Sequence, residues 1–195
     1  MRKSIKMLTA ALLALPLLLP VTAAAADDTP PVRISEMMYK NHATLQDADG
    51  DFSDWFELEN TSNRTVRLKG WSVSDGKTVW DFPADAAIPR GGLRVVFASR
   101  KDKTAPGDEL HTSFALGEGE TLYLIAPSGS IADRLMCDPE LPADHVLRRE
   151  KNGEIAESVW ATPGYPNTAA GYAAFCESRV TESPLVIYEA AVYND

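Results

Sequence analysis

Between Asp47 and Asp54 the chain reads DADGDFSD, placing four carboxylates, Asp47, Asp49, Asp51 and Asp54, within eight residues. Gly50 sits among them and lets the backbone turn sharply. Hard oxygen ligands at this density suit Ca²⁺. The spacing is not that of an EF-hand: Gly50 falls at the fourth position, and Leu58 rather than a glutamate stands at the twelfth. The same residue types also make a solvated Asp/Gly turn, with Asp54 capping it beside Trp55. Asp47, Asp49, Asp51 and Asp54 are therefore the candidate metal ligands, and Ca²⁺ is the one candidate cofactor.

Other chemistry-bearing residues form no constellation. His42, His111 and His145 lie in three separate regions without paired metal spacing. Cys137 has His145 eight residues on, but nothing around them resembles an activated nucleophile. There is no Gly-x-Ser-x-Gly elbow, phosphate loop or Gly-rich dinucleotide turn. No catalytic residue is assigned, and the chain is expected not to be an enzyme. Trp55, Trp71, Trp80 and Trp160 suit either a carbohydrate platform or packing. Each lies in or beside an alternating strand, which favours packing. Arg90, Arg94, Arg100, Lys101 and Lys103 supply a basic run that Asp102 and Asp108 interrupt, the pattern of a solvated loop rather than a polyanion site.

The elements that must carry these residues are strands. In Trp55-Phe56-Glu57-Leu58-Glu59 the apolar Phe56 and Leu58 alternate with glutamates, and Val66 and Leu68 alternate with Arg67 and Lys69. This period of two predicts strands with one wet face. Glu57 and Glu59 are expected to face Arg67 and Lys69 across a turn built from Asn60-Thr61-Ser62-Asn63. Val32–Tyr39, Trp71–Ser74, Thr78–Phe82, Leu93–Ala98, Thr121–Ala126 and Ile131–Met136 read as further strands, with weaker ones at Val146–Arg148 and Ile155–Trp160. About nine short strands, turn signals every 8–12 residues and no convincing amphipathic helix predict an all-β sandwich or barrel.

The chain has 195 residues and a formal net charge of −9. Residues 1–26 read as a signal peptide: Arg2, Lys3 and Lys6, an apolar stretch from Met7 to Leu19, and Ala24-Ala25-Ala26 as a cleavage site. Cleavage near Ala26 removes three basic residues and no acidic one, so the net charge moves from −9 to −12. The expected location is secreted or cell-surface, with membrane contact only through the signal peptide during export. The acidic balance argues against nucleic acid as a partner. Export permits a disulfide between Cys137 and Cys176, although two cysteines are also what a chain without disulfides carries.

The expected organisation is a linker at 27–31, one β-sandwich domain at 32–167, a linker at 168–184 and a strand at 185–195. The last stretch, LVIYEAAVYND, aligns Ile187, Glu189 and Asn194 with Ile34, Glu36 and Asn41 at identical spacing. It reads as the first strand of a second, truncated copy.

ISEMMYKN, DGDFSDWFELEN, RLKGWSVSD, WDFP, IPRGG before LRVVFAS, TSFALGEGETLYLIAPSGSIAD and the closing ATPGYPN occur in that order over residues 32–167. Together they resemble the lamin tail domain of exported bacterial proteins. The resemblance implies an immunoglobulin-like β-sandwich and a non-catalytic role as a binding or structural module. Such a module would position a larger protein on a cell surface or extracellular polymer. An alternative is the targeting part of a secreted hydrolase, nuclease or spore-coat-type kinase whose catalytic domain lies outside these residues. The partner is an unidentified extracellular protein or polymer, and the resemblance supplies no ligand pocket.

Overall fold

The computed structural model describes residues 29–180. The expected signal peptide and the strand at 185–195 lie outside the described residues. Among the described residues there are twelve strands and one helix. β1 (Val32–Met38), β2 (Asp54–Asn60), β7 (Leu93–Ala98), β8 (Leu110–His111), β11 (Val146–Arg149) and β12 (Ile155–Ser158) form a six-stranded sheet in the order β12-β11-β1-β2-β7-β8. β4 (Ser72–Ser74), β5 (Val79–Asp81), β9 (Thr121–Ile125) and β10 (Ile131–Met136) form a four-stranded sheet in the order β10-β9-β4-β5. β3 (Val66–Arg67) pairs with β6 (Ala87–Ile88) as a separate ribbon. All pairings are antiparallel except β7 with β8. This is the expected immunoglobulin-like β-sandwich. The strand count exceeds nine in part because β6 and β8 are two-residue pairings too short to leave a periodic signal.

The main core lies between the two sheets. Ile34, Met37, Phe56, Leu58 and Val96 from the larger sheet join Val73, Trp80, Leu122, Leu124 and Leu135 from the smaller one. A second apolar cluster covers the opposite face of the larger sheet, with Met38, Trp55, Phe97, Val146 and Ala161 at its centre and Leu45 and Val95 beside it. The larger sheet is therefore buried on both sides over β1, β2 and β7. That overturns the wet face expected for β2: Glu57 has no exposed surface. It bonds Ser35 and Gly164 rather than Arg67 or Lys69, and Arg67 sits in the separate β3–β6 ribbon. Glu59 pairs instead with Arg33 at 2.8 Å.

The cover of that outer face is the closing segment, residues 161–167, followed by α1 (Ala169–Ser178). α1 occupies part of the stretch read as a linker. Its amphipathic signal is absent because only Gly171 and Phe175 are buried. Thr168 caps it by accepting the Gly171 N–H at 3.0 Å. Gly171 is required by close approach: a Cβ there would stand 1.9 Å from the Pro166 carbonyl oxygen. Trp160 stacks on Tyr172 of α1, with ring centroids 5.7 Å apart. Among the described residues no helix is long and apolar enough to cross a membrane.

Candidate functional site: an acidic loop and two buried glutamates

The acidic loop precedes β2, and a lysine-bearing loop follows β7. Asp54 stands opposite Ala98 in the β2–β7 register, so antiparallel pairing delivers the two loops to the same end of the sheet. The acidic loop is wound around Asp47. The Asp47 carboxylate accepts the N–H groups of Asp49 and Asp51, both at 3.0 Å, and the Ser53 hydroxyl at 3.0 Å. Its carbonyl accepts the Gly50 N–H at 2.9 Å, with Gly50 at φ 87.

The structure brings Asp47, Asp49 and Asp51 together, each offering an oxygen within 4.8 Å of the others. Asp54 is not part of this group. It begins β2, where burial pushes its carboxyl up to about 7 despite the Asn41 N–H and Arg100. The three converging carboxylates surround the Lys101 ammonium at 2.6, 2.7 and 2.8 Å, and Lys103 adds a contact to Asp49 at 2.5 Å. Burial alone would lower the Lys101 amine, but the carboxylates hold it well above its usual value. Burial would raise Asp47, yet Lys101, the Asp51 N–H and Ser53 bring it below the ordinary range. Lys101 and Lys103 hold Asp49 down at about 2. The oxygen set suits a hard cation, and at rest the cation is the protein's own lysine. Sequence reading placed Lys101 in a solvated loop. The signal that could have found it is the pairing of β2 with β7.

Beneath the closing segment lie two carboxyls that the sequence did not single out as a site. A bulge between Ile34 and Glu36 interrupts β1 and sets Glu36 opposite Glu57 of β2. Neither has exposed surface. Glu36 accepts the Thr162 N–H at 3.0–3.1 Å, and Glu57 accepts the Gly164 N–H at 2.6 Å and the Ser35 hydroxyl at 2.6 Å. Burial, with the neighbouring Glu57 adding to it, pushes Glu36 up to about 8. Burial, with Glu59 a lesser contributor, pushes Glu57 up to about 7.

The remaining candidates are dispersed. His111 is buried and stacked on Phe97 with centroids 5.1 Å apart, its Nδ1 2.8 Å from the Ser99 hydroxyl. His145 meets Glu157 at 2.7 Å, and His42 lies elsewhere, its N–H bonded to Asp144. Cys137 is buried and Cys176 exposed, and both are free thiols. Trp55, Trp71 and Trp80 are buried, as packing requires, while Trp160 is 46 % exposed at the rim.

The family model described as Lamin Tail Domain matches residues 25–137. The match ends before β11, β12, the closing segment and α1, although β11 pairs directly with β1. A comparison with curated proteins returned no match. Members of the matched family are immunoglobulin-like domains that in general act as non-catalytic binding or structural modules. With its sandwich fold and a family match over more than half its length, the chain belongs to the Lamin Tail Domain family.

Proposed function

We propose that the chain is an exported, non-catalytic module of bacterial type that positions a larger protein on a cell surface or extracellular polymer. The observation that carries this reading is where its reactive groups go. Asp47 is satisfied by its own loop and Lys101, and Glu36 and Glu57 hold the closing segment. Groups committed to internal bonds build a rigid scaffold and leave recognition to the surface. The leader-like residues 1–26 and the net charge of −12 after their removal fit a soluble exported domain. That charge also disfavours nucleic acid as the partner. Cell fractionation tests this reading: the chain is expected outside the cytoplasm, beginning near Asp27, and a cytoplasmic chain retaining Met1 would oppose it.

The tandem reading has support of its own. Among the residues repeated near the C-terminus, Glu36 and Asn41 are buried hydrogen-bonding staples in the first copy. Asn41 donates to the carbonyls of Leu45 and Ser53 at 2.6 and 2.7 Å. A second strand carrying the same staples would need the same partners further along. Sequencing the genomic locus past codon 195 tests this. A second sandwich downstream supports a tandem, and a hydrolase, nuclease or kinase-like domain supports the alternative of a targeting module. Calcium at Asp47, Asp49 and Asp51 belongs to the same proposal, with the ion displacing the Lys101 ammonium from the three carboxylates.

A further inference from the structure

The hydrogen bonds around Thr162 leave room for one proton that the backbone and amide donors do not supply. Asn167 donates through Nδ2 to the carbonyls of Ser35 and Arg149 at 2.9 and 3.1 Å, which fixes its Oδ1 as the acceptor on the other side. Thr162 Oγ1 lies 2.7 Å from that Oδ1, so its single hydroxyl proton goes there. Thr162 Oγ1 also lies 3.2 Å from Glu36 Oε2. With its proton committed, the hydroxyl is an acceptor toward Glu36, and the contact is a hydrogen bond only when Glu36 carries a proton. A charged Glu36 would instead place lone pair against lone pair, opposite Glu57, with neither side chain exposed.

We propose that Glu36 and Glu57 form a proton-operated latch: with Glu36 protonated the closing segment and α1 lie on the sheet, and ionisation of the pair lifts them. The charged surroundings offset that ionisation only in part, through Arg148. On β11, Arg148 stands opposite Glu36 in register, but its Nε is engaged by Glu150 at 2.8 Å and its buried Nη1 has no hydrogen-bond partner. On β2, Glu59 adds like charge near Glu57 and is itself paired with Arg33 of β1. On β7 the residue opposite Glu57 is Val95. From Val159 to Cys176 the covering chain carries no acidic or basic side chain. Water has a route in: a cavity of about 200 Å³ lined by Ser35, Arg149, Pro166 and Asn167 adjoins the latch. Because α1 follows directly, opening moves α1 with the closing segment.

The test is NMR of the labelled full-length chain from pH 5 to 9, following the Glu36 carboxyl carbon and the Thr162 and Gly164 amides together. The carboxyl carbon is expected to stay at its protonated position at pH 6 and to titrate with a midpoint near 8. The two amides should move with it, and protease cleavage within residues 159–167 should accelerate. The opened population should grow by up to about tenfold per pH unit per carboxyl below the closed-state pKa. Glu36→Gln keeps a donor for Thr162 Oγ1 and an acceptor for the Thr162 N–H, so its amides should lose the step near 8 and keep only the weaker response of Glu57 near 7. Glu57→Gln should flatten the response partially and serves if the first variant does not fold. Asp54→Asn, which removes a partly buried carboxyl also raised to about 7, should leave the amide response intact. A Glu36 carbon titrating near the ordinary value of 4.5 would overturn the latch. So would amides that stay fixed while Glu36 ionises, the result expected if charged Glu36 turned to Arg148.

Discussion

Lys101 places its ammonium 2.6 Å from Asp47, whose side chain has no exposed surface, and the two are separated by 54 residues of sequence. One cation thus joins the loop before β2 to the loop after β7. Lys101→Met leaves Asp47 buried and unpaired, and a loss of about 2 kcal/mol is expected, below the full cost of a wholly buried pair because Lys101 is partly exposed. The same variant leaves Asp47 and Asp51 without a cation and Asp49 with Lys103 alone. Millimolar Ca²⁺ should then raise its melting temperature by more than it raises that of the parent chain. Differential scanning calorimetry with and without calcium measures both effects, and a variant indifferent to calcium would show that the oxygens cannot close on an ion.

Stability should fall as pH rises from about 5 to 8. Glu36 and Glu57 have folded-state values of about 8 and 7 against 4.5 for the free side chain. Between those values the folded chain holds more protons than the unfolded one, so stability decreases with pH and levels off above about 8. The loss should be at least about 1.4 kcal/mol, the equivalent of one pKa unit. Urea denaturation across this window measures it, and a flat or rising profile would contradict the burial of the pair.

Asn60 is fully buried and its amide nitrogen reaches three carbonyls, those of Arg64, Ile88 and Pro89, at 2.7, 2.9 and 2.8 Å. Its oxygen accepts both the N–H and the hydroxyl of Ser62. One side chain therefore ties the turn after β2 to the strand end at β6. Asn60→Ala removes one donor from each of those carbonyls, although Pro89 keeps the Gly92 N–H and Arg64 the Ser62 hydroxyl, and should cost roughly 1–3 kcal/mol. Asn60→Asp should fare no better, because a carboxylate cannot donate to any of them. Chemical denaturation of the two variants checks the size and the order.

The cysteines should differ in reactivity. Burial pushes the Cys137 thiol up to about 12, so it carries almost no thiolate at neutral pH. Cys176 is exposed on α1. A thiol reagent should modify one cysteine per native chain and two after denaturation. Two rapid modifications in the native state would show that Cys137 is not enclosed as described.

The strands and the sandwich were legible in the sequence because alternation survives wherever a strand has one polar face, as in β9 with Leu122 and Leu124 buried. β2 shows where that logic fails. Its alternation of Phe56 and Leu58 with glutamates is real, but the polar side is covered by a segment more than 100 residues away. Nothing local to Trp55–Glu59 records that cover. The acidic loop was legible as a cluster, and three of its four carboxylates do converge. Asp54 was drawn in by proximity in sequence, whereas its position as the first residue of β2 turns it away from that group. Lys101 was hidden for the same reason as the cover on Glu57: its partners are set by strand pairing. α1 was legible only as a partly helical linker, because a helix that buries only Gly171 and Phe175 has no apolar stripe.

The proposed export of this chain is open to a direct test at its N-terminus. Intact-mass and N-terminal sequencing of the chain recovered from separated cytoplasmic, surface and extracellular fractions tests it most directly. A surface or extracellular species beginning at or near Asp27 is expected. A species that begins at Met1 and stays in the cytoplasm would contradict it.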